Sequence, residues 1–362
     1  MADNSGIEWT DATWNPITGC SVVSPGCTNC YAMGLAGTRL RNHPSRAGLT
    51  RDTKAGPVWT GEVRFNARWL DQPLHWRKPR MIFLGAHSDL FHPALPRAAR
   101  DRIYAVMARA HWHTFQVLTK RADLMRAYLS DPELPRRIAA LVTEAVGPDD
   151  IIVSREDELA TGGMRHVWHG VSAERQREAD ERIHELRATP SAVRYVSLEP
   201  LLGPIDLRHL NRLDTVASDC LTGLRVRPRT GKAIDKEPWN PIDWVIAGGE
   251  SGPHARPSHP DWFHSLRDQC QAAGVPFFFK QWGEWREFDT GSAEIDEVDA
   301  GTEEAEAILA LAIRPGWIDA AGNLYRRQAD LPADTPCRLI ERAGKTLAGA
   351  KLNGREHREM PQ

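Results

Sequence analysis

The sequence predicts an α/β fold built on a parallel sheet, a partial or complete (β/α) barrel with loop insertions. Six short apolar runs, rich in β-branched or aromatic residues, have the look of strands buried on both faces. Amphipathic helical patterns lie between many of them, and strand–helix alternation means crossover connections. Polar, ionisable or glycine residues follow directly on the runs, where an α/β sheet gathers its site.

In chain order, a short leading segment "NPIT" (15–18) precedes a cysteine-rich loop, and "MIFLG" (81–85) is the first long run. "PRAARDRIYAVMARA" then sets Ile103, Val106, Met107 and Ala110 on one helical face. "FQVL" (115–118) and "VWHGV" (167–171) flank residues 131–165, which read as an insertion containing a possible helix and, in "DDIIVSREDELATGGM", a possible short strand with a turn. "ERQREADERIHELRAT" places Ala179, Ile183 and Leu186 on a narrow stripe before "RYVSL" (194–198). The polar residues 208–242 read as a second insertion, ahead of "WVIAG" (244–248). "HPDWFHSLRDQCQAAG" is helical, stops at Gly274 and leads to "PFFFK" (276–280). An acidic excursion at about 287–310 completes a chain expected to form one domain over residues 1–362.

No apolar run approaches the roughly 20 residues of a membrane span. The first residues, "MADNSGIEWTDATWNP", show neither a basic nor an apolar leader region. A soluble, cytoplasmic protein without a membrane partner is therefore expected. The net charge is −2, yet residues 31–130 carry 17 Lys/Arg against 6 Asp/Glu, an excess that suits a polyanion such as nucleic acid. A solvated basic surface is the plainer alternative. Residues 281–310 reverse the balance, with 10 acidic residues and one basic.

The run ends supply the candidate site. His87, Ser88 and Asp89 follow the first run, Lys120 the second, Ser172 the third and Glu199 the fourth. Gly248, Gly249 and Glu250 follow the fifth, in a loop whose missing Cβ atoms would admit a ligand, and Lys280 ends the sixth. Lys120 and Lys280 suit anionic groups or Schiff-base chemistry, and equally suit pairing with the carboxylates.

Cys20, Cys27 and Cys30 stand at C-x6-C-x2-C, in a chain whose composition argues against a disulfide framework. Pro25 and Gly26 provide a turn that can bring Cys20 back to the other two. Structural zinc would require a distant fourth ligand such as His43. An iron–sulfur cluster can instead use three cysteines and leave one iron open. Cys270, at helical spacing with Trp262, Leu266 and Ala273, reads as a small buried hydrophobe.

The segments "WTDATWNPITGCSVVSPGCTNCYA", "LTKR", "GVSAE", "SLEPLLGPID", "GGESG" and "GKTLAGAKLNGREHREMP", spread from about Ile7 to Met360, resemble a phage-associated family (phage gene-product 37/68-like). That family is regarded as a distant branch of the radical S-adenosylmethionine superfamily. The resemblance implies a partial barrel of that type, with a 4Fe–4S cluster on Cys20, Cys27 and Cys30 and S-adenosylmethionine on the open iron. One-electron cleavage of that cofactor to a 5′-deoxyadenosyl radical, fed by a donor such as a flavodoxin or ferredoxin, would act on a nucleic acid or nucleotide. By position, Ser88 and Asp89 fall near the methionine amino group, Ser172 and Glu199 near the ribose or carboxylate, and Gly248, Gly249 and Glu250 at the adenine end. The superfamily's usual spacing is C-x3-C-x2-C, and its usual aromatic residue before the third cysteine is Asn29 here, with Tyr31 one place after that cysteine as the substitute. The rival functions are a zinc-stabilised nucleic-acid-binding protein without turnover and a barrel lyase using Lys280 or Lys120.

Overall fold

The computed structural model describes residues 5–146, 164–235, 238–288, 312–332 and 335–361. Seven strands lie side by side in chain order, every pairing parallel: β1 (Ala12–Trp14), β2 (Met81–Leu84), β3 (Thr114–Thr119), β4 (Val167–Ser172), β5 (Arg194–Leu198), β6 (Trp244–Gly248) and β7 (Phe277–Gln281). All six apolar runs thus become strands. The leading strand is not "NPIT" but the three residues before it. Ala12 and Trp14 are fully buried, and the Trp14 indole donates to the Trp69 carbonyl at 2.8 Å. Pro16 has no N–H to offer a ladder, and Ile17–Thr18 turns away to pair antiparallel with Arg64–Phe65.

Among the described residues six helices of seven residues or more accompany the sheet: α1 (Tyr31–Gly37), α2 (Arg97–Arg109), α3 (Ala122–Leu129), α4 (Leu134–Val146), α5 (Gln176–Arg187) and α6 (Pro260–Ala273). The expected helical stripes are the buried ones: Ile103, Val106 and Met107 on α2, Ala179, Ile183 and Leu186 on α5, and Trp262, Leu266 and Cys270 on α6. The His259 ring caps α6 by accepting the Asp261 N–H, and Gly274 ends it at φ +70°. Residues 134–146 are more than an insertion. Leu134, Ile138 and Val142 bury α4 in the main core, against α2. The strand and turn expected over 149–164 fall, but for Met164, outside the described residues, as does the acidic excursion beyond Phe288.

The sheet is curled. Alternate side chains of β2, β5, β6 and β7 meet on its inner face as Phe83, Tyr195, Trp244 and Phe278, around Trp9 from the segment before β1. The Trp9 ring lies 4.8 Å from Phe83 and 6.2 Å from Trp244, between centroids. On a flat sheet, strands four places apart are separated by about 19 Å, so one indole touching both requires strong curvature. The result is a half-barrel with an aromatic interior and its helices outside. The 208–242 insertion contributes Leu210, Cys220, Leu221 and Ile242 to the core, so Cys220 is buried despite its polar sequence context. A four-stranded antiparallel sheet, Arg286–Glu287, Cys337–Glu341, Pro315–Asp319 and Leu324–Tyr325 in spatial order, packs around Trp285, Ile318 and Ile340. Among the described residues no helix is long and apolar enough to cross a membrane.

Candidate functional site

The period-2 pleat that turns Leu118, Ser197, Ile246 and Phe278 into the curl carries the same face onward to Lys120, Glu199, Gly248 and Lys280. Gly170 on β4 does the same for Ser172 and then Glu174. Apolar inner residues therefore give way to polar ones at the carboxyl ends of the strands. A cavity of about 340 Å³ opens there, floored by Trp9, Phe83 and Leu118. Its walls include Cys20, Cys27, Cys30, Tyr31, Ser88, Asp89, Lys120, Ser172, Glu199, Gly249, Glu250 and Lys280. Of the strand-end and clustered cysteine residues singled out in the sequence, Gly248 is not in the wall, and neither is His43, the candidate distant zinc ligand.

The glycines serve the chain itself. A Cβ on Gly249 would stand 1.8 Å from the Trp282 carbonyl oxygen, and one on Gly248 would stand 2.8 Å from Glu199 Oε1. Close packing of β6 against Glu199 and the end of β7, rather than room for a ligand, explains both positions.

The cysteine loop follows β1 through Gly19, which has φ +95° and lies too close to the Glu62 carbonyl for any side chain. Pro25–Cys27 forms a single 3-10 turn, as the Pro-Gly pair predicts, and Cys30 precedes the first turn of α1. All three thiols are partly buried. Burial pushes the Cys20 thiol up to about 11, with Asp89 adding to the shift and the Arg121 guanidinium opposing it. Burial likewise raises Cys30. Cysteines in such surroundings keep their protons until a metal displaces them. Among the described residues no three or more His, Cys, Asp or Glu side chains are gathered closely enough to hold a single ion.

Three buried carboxylates fasten this loop to the rim. Asp89 accepts four bonds, from the Phe91 and Lys120 N–H groups, from Thr119 Oγ1 (2.7 Å) and from Arg121 Nη1 (2.7 Å). Arg121 in turn donates to Ser21 Oγ (2.7 Å) and lies 3.8 Å from Cys20 Sγ. Glu174, wholly buried, accepts from Lys120 Nζ, Arg182 Nη1 (3.2 Å) and Ser24 Oγ (2.7 Å). Burial opposes ionisation there, but Lys120 and Arg182 hold the carboxyl below its usual range. Glu250 accepts from Arg256 through Nη2 (2.6 Å), Nε and the backbone, and from Asn29 Nδ2 at 3.0 Å. Arg256 also donates to the Pro25 carbonyl at 3.1 Å.

Asn29, which stands where the resemblance implied an aromatic residue, is thus a loop fastener. It also donates to the His254 carbonyl at 2.9 Å. Tyr31 lies at the mouth, donating to the Ala86 carbonyl at 2.5 Å with its ring edge-on to His87.

The opposite wall has more open valence. Lys280 Nζ pairs with Glu199 Oε1 at 3.0 Å, and among the described residues Glu199 Oε2 accepts only from Ser197 Oγ at 3.2 Å. Lys120 Nζ donates to Ser172 Oγ at 2.7 Å as well as to Glu174. Both lysines therefore sit in ion pairs. Among the described residues four buried polar atoms in the cavity wall find no partner: Ser88 Oγ, His87 Nδ1, Trp9 Nε1 and Gln281 Oε1. Burial drives the His87 pKa down to about 4, so the ring is neutral.

Sequence reading missed Arg121, Glu174, Arg256 and Trp9. All four stand in or beside segments already singled out, "LTKR", "GVSAE", "GGESG" and "WTDATWNPITGCSVVSPGCTNCYA", but the roles of the first three depend on partners up to 231 positions away. The basic excess of residues 31–130 does not form one face. Arg39, Arg51 and Lys54 are exposed on or beside the unit made by α1 and the hairpin Thr50–Thr53/Gly56–Trp59, next to the cysteine loop. Arg77 and Lys78 precede β2, at the other end of the sheet.

Fold and site together define a parallel half-barrel whose rim cavity is roofed by a three-cysteine loop. Over residues 4–361 the chain matches the family described as "Protein of unknown function (DUF5131)", and it belongs to that family. No curated protein and no solved structure matches the chain.

Proposed function

We propose that the rim cavity holds a 4Fe–4S cluster on Cys20, Cys27 and Cys30 with S-adenosylmethionine beside it, and that the protein is a radical S-adenosylmethionine-like enzyme acting on a nucleic acid or nucleotide. The observation that carries this reading is that the three thiols share one cavity with the polar ends of the parallel strands. The donor set fits the group. Three thiols on one loop can ligate three irons, and the Arg121 guanidinium beside Cys20 offsets thiolate charge. When bound, the pair supplies one-electron reductive cleavage of the cofactor and hydrogen abstraction from substrate.

The chain's own residues bind and orient. Glu199 and Lys280 are suited to the amino and carboxylate groups of the cofactor's methionine end, with Ser88 Oγ and Ser172 Oγ as neutral partners. Tyr31 offers an aromatic face at the mouth. Asp89 and Glu250, saturated by the loop's fastening, act by positioning. Trp9, Phe83 and Leu118 exclude water from the floor. The exposed Arg39, Arg51 and Lys54 would meet a phosphate backbone beside the mouth.

Anaerobically reconstituted protein, given S-adenosylmethionine and a strong reductant, should release methionine and 5′-deoxyadenosine. It should also bind an oligonucleotide with an affinity that falls steeply with salt. One tightly held zinc, a colourless protein and no cofactor turnover would replace this reading with the zinc-stabilised binding protein.

A further inference from the structure

The spacer between Cys20 and Cys27 is three residues longer than the usual superfamily spacing, and its inner residues meet a single buried group. Ser24 Oγ donates to Glu174 Oε1 at 2.7 Å and lies 4.0 Å from Cys27 Sγ. The Ser24 carbonyl accepts the Cys27 N–H at 2.9 Å, so whatever fixes Ser24 fixes Cys27. Two residues on, Gly26 presses against the same carboxylate. A Cβ there would stand 2.2 Å from Glu174 Oε1, 2.4 Å from its Cγ and 2.7 Å from its Cδ. Gly26 has no positive φ, so contact with Glu174 alone demands glycine. Glu174 cannot yield easily. It is wholly buried, held by Lys120 and Arg182, and Arg182 is anchored to the Ser172 carbonyl at 2.5 Å.

We infer that the six-residue spacer is a latch: Ser24 and Gly26 dock on the buried carboxylate of Glu174 and hold the cysteine loop against the strand ends before any metal is bound. Glu174 is a positioning residue, and the latch joins the loop to the lysine that also reaches Ser172. A loop held this way meets its metal with the thiols already placed, which spares the ordering cost that a free loop would incur on loading. The latch acts on the metal-free chain. Only its purpose rests on the cluster reading.

The test labels the metal-free full-length protein with a maleimide and follows each cysteine by peptide mass spectrometry. Ser24→Ala removes one charge-assisted hydrogen bond, and Gly26→Ala crowds Glu174 Oε1 and forces the loop off it; neither replaces Glu174, Lys120 or Arg182. Each should raise the labelling rate of Cys27 on the order of tenfold through easier local opening. Ser24→Thr, which keeps the hydroxyl, should label as the parent does. The buried Cys220 and Cys270 report global unfolding and should stay slow. Equal Cys27 rates in parent and both variants would overturn the latch, as would a rise shared by Cys220 and Cys270. If the parent takes up no iron while the variants still label faster at Cys27, the latch stands and the cluster reading falls.

Discussion

Asp89→Asn tests whether the rim depends on the buried carboxylates as described. The substitution keeps the shape of the side chain and one acceptor oxygen for Phe91 N–H and Thr119 Oγ1, but sets an NH₂ against the Lys120 N–H and Arg121 Nη1. Two acceptor contacts become donor–donor contacts, and Arg121 loses its counter-ion. The Asp89 and Arg121 side chains are only 7% and 8% exposed, so water cannot repair the loss. Removing one partner of such a buried pair costs about 3–5 kcal/mol, set against a total stability of about 5–15 kcal/mol. Urea unfolding followed by tryptophan fluorescence reads the change directly. Arg121→Met alone should cost a similar amount, and the double variant should cost much less than the sum of the two. A loss below about 1 kcal/mol for Asp89→Asn, or simple additivity in the double variant, would mean that the Asp89–Arg121 pair does not hold the rim.

Cys27→Ala and Cys30→Ala should abolish iron uptake yet change the stability of the metal-free protein by no more than about 1 kcal/mol, since the loop is fastened elsewhere; global unfolding of Cys30→Ala would favour a structural metal. Cys270→Ala should leave iron uptake unchanged, because the thiol is in the helix–sheet core. Gly249→Ala should cost about 1–3 kcal/mol or more, as its Cβ would meet the Trp282 carbonyl at 1.8 Å; urea midpoints equal to the parent's would contradict that packing. Stability should also fall as acid is added. Burial holds His87 neutral down to about 4 and His169 down to about 3, whereas the unfolded chain protonates near 6.5. The unfolded state thus binds more protons below about pH 6.5, and stability drops by up to about 1.4 kcal/mol per pH unit per histidine. Glu174 and Glu250, held below their usual range, add to the loss below about pH 4.3. A urea midpoint unchanged between about pH 7.5 and 5 would contradict buried neutral histidines.

The half-barrel was largely legible because its strands are buried on both faces and read as unbroken apolar runs, from "MIFLG" to "PFFFK". β1 was not. Three residues, Ala12–Trp14, carry too little pattern to separate them from the loop that follows. The four-stranded sheet near the C-terminus escaped for a similar reason, since two of its strands are pairs of residues and Arg286–Glu287 is wholly charged. The convergence of strand-end residues on one cavity follows from the pleat, which period-2 reading can extend beyond the last apolar residue. Their division of labour does not. Nothing local shows that Asp89 and Glu250 are saturated while Glu199 keeps open valence, because Arg121 and Asn29 come to them from other loops and Arg256 folds back from six residues further along the loop of Glu250 itself. The glycines of "GGESG" show the same limit: their need was visible, but the group crowding Gly249 is a backbone oxygen at the end of the neighbouring strand.

On the function proposed above, three thiols on this rim hold a cluster with one iron left open. The most direct test is the electron paramagnetic resonance spectrum of the reduced, anaerobically reconstituted protein, recorded with and without S-adenosylmethionine beside an iron count. About four irons per chain are expected, with a spectrum that changes when S-adenosylmethionine is added. Four irons with a spectrum indifferent to the cofactor, or one zinc with no signal, would contradict that function.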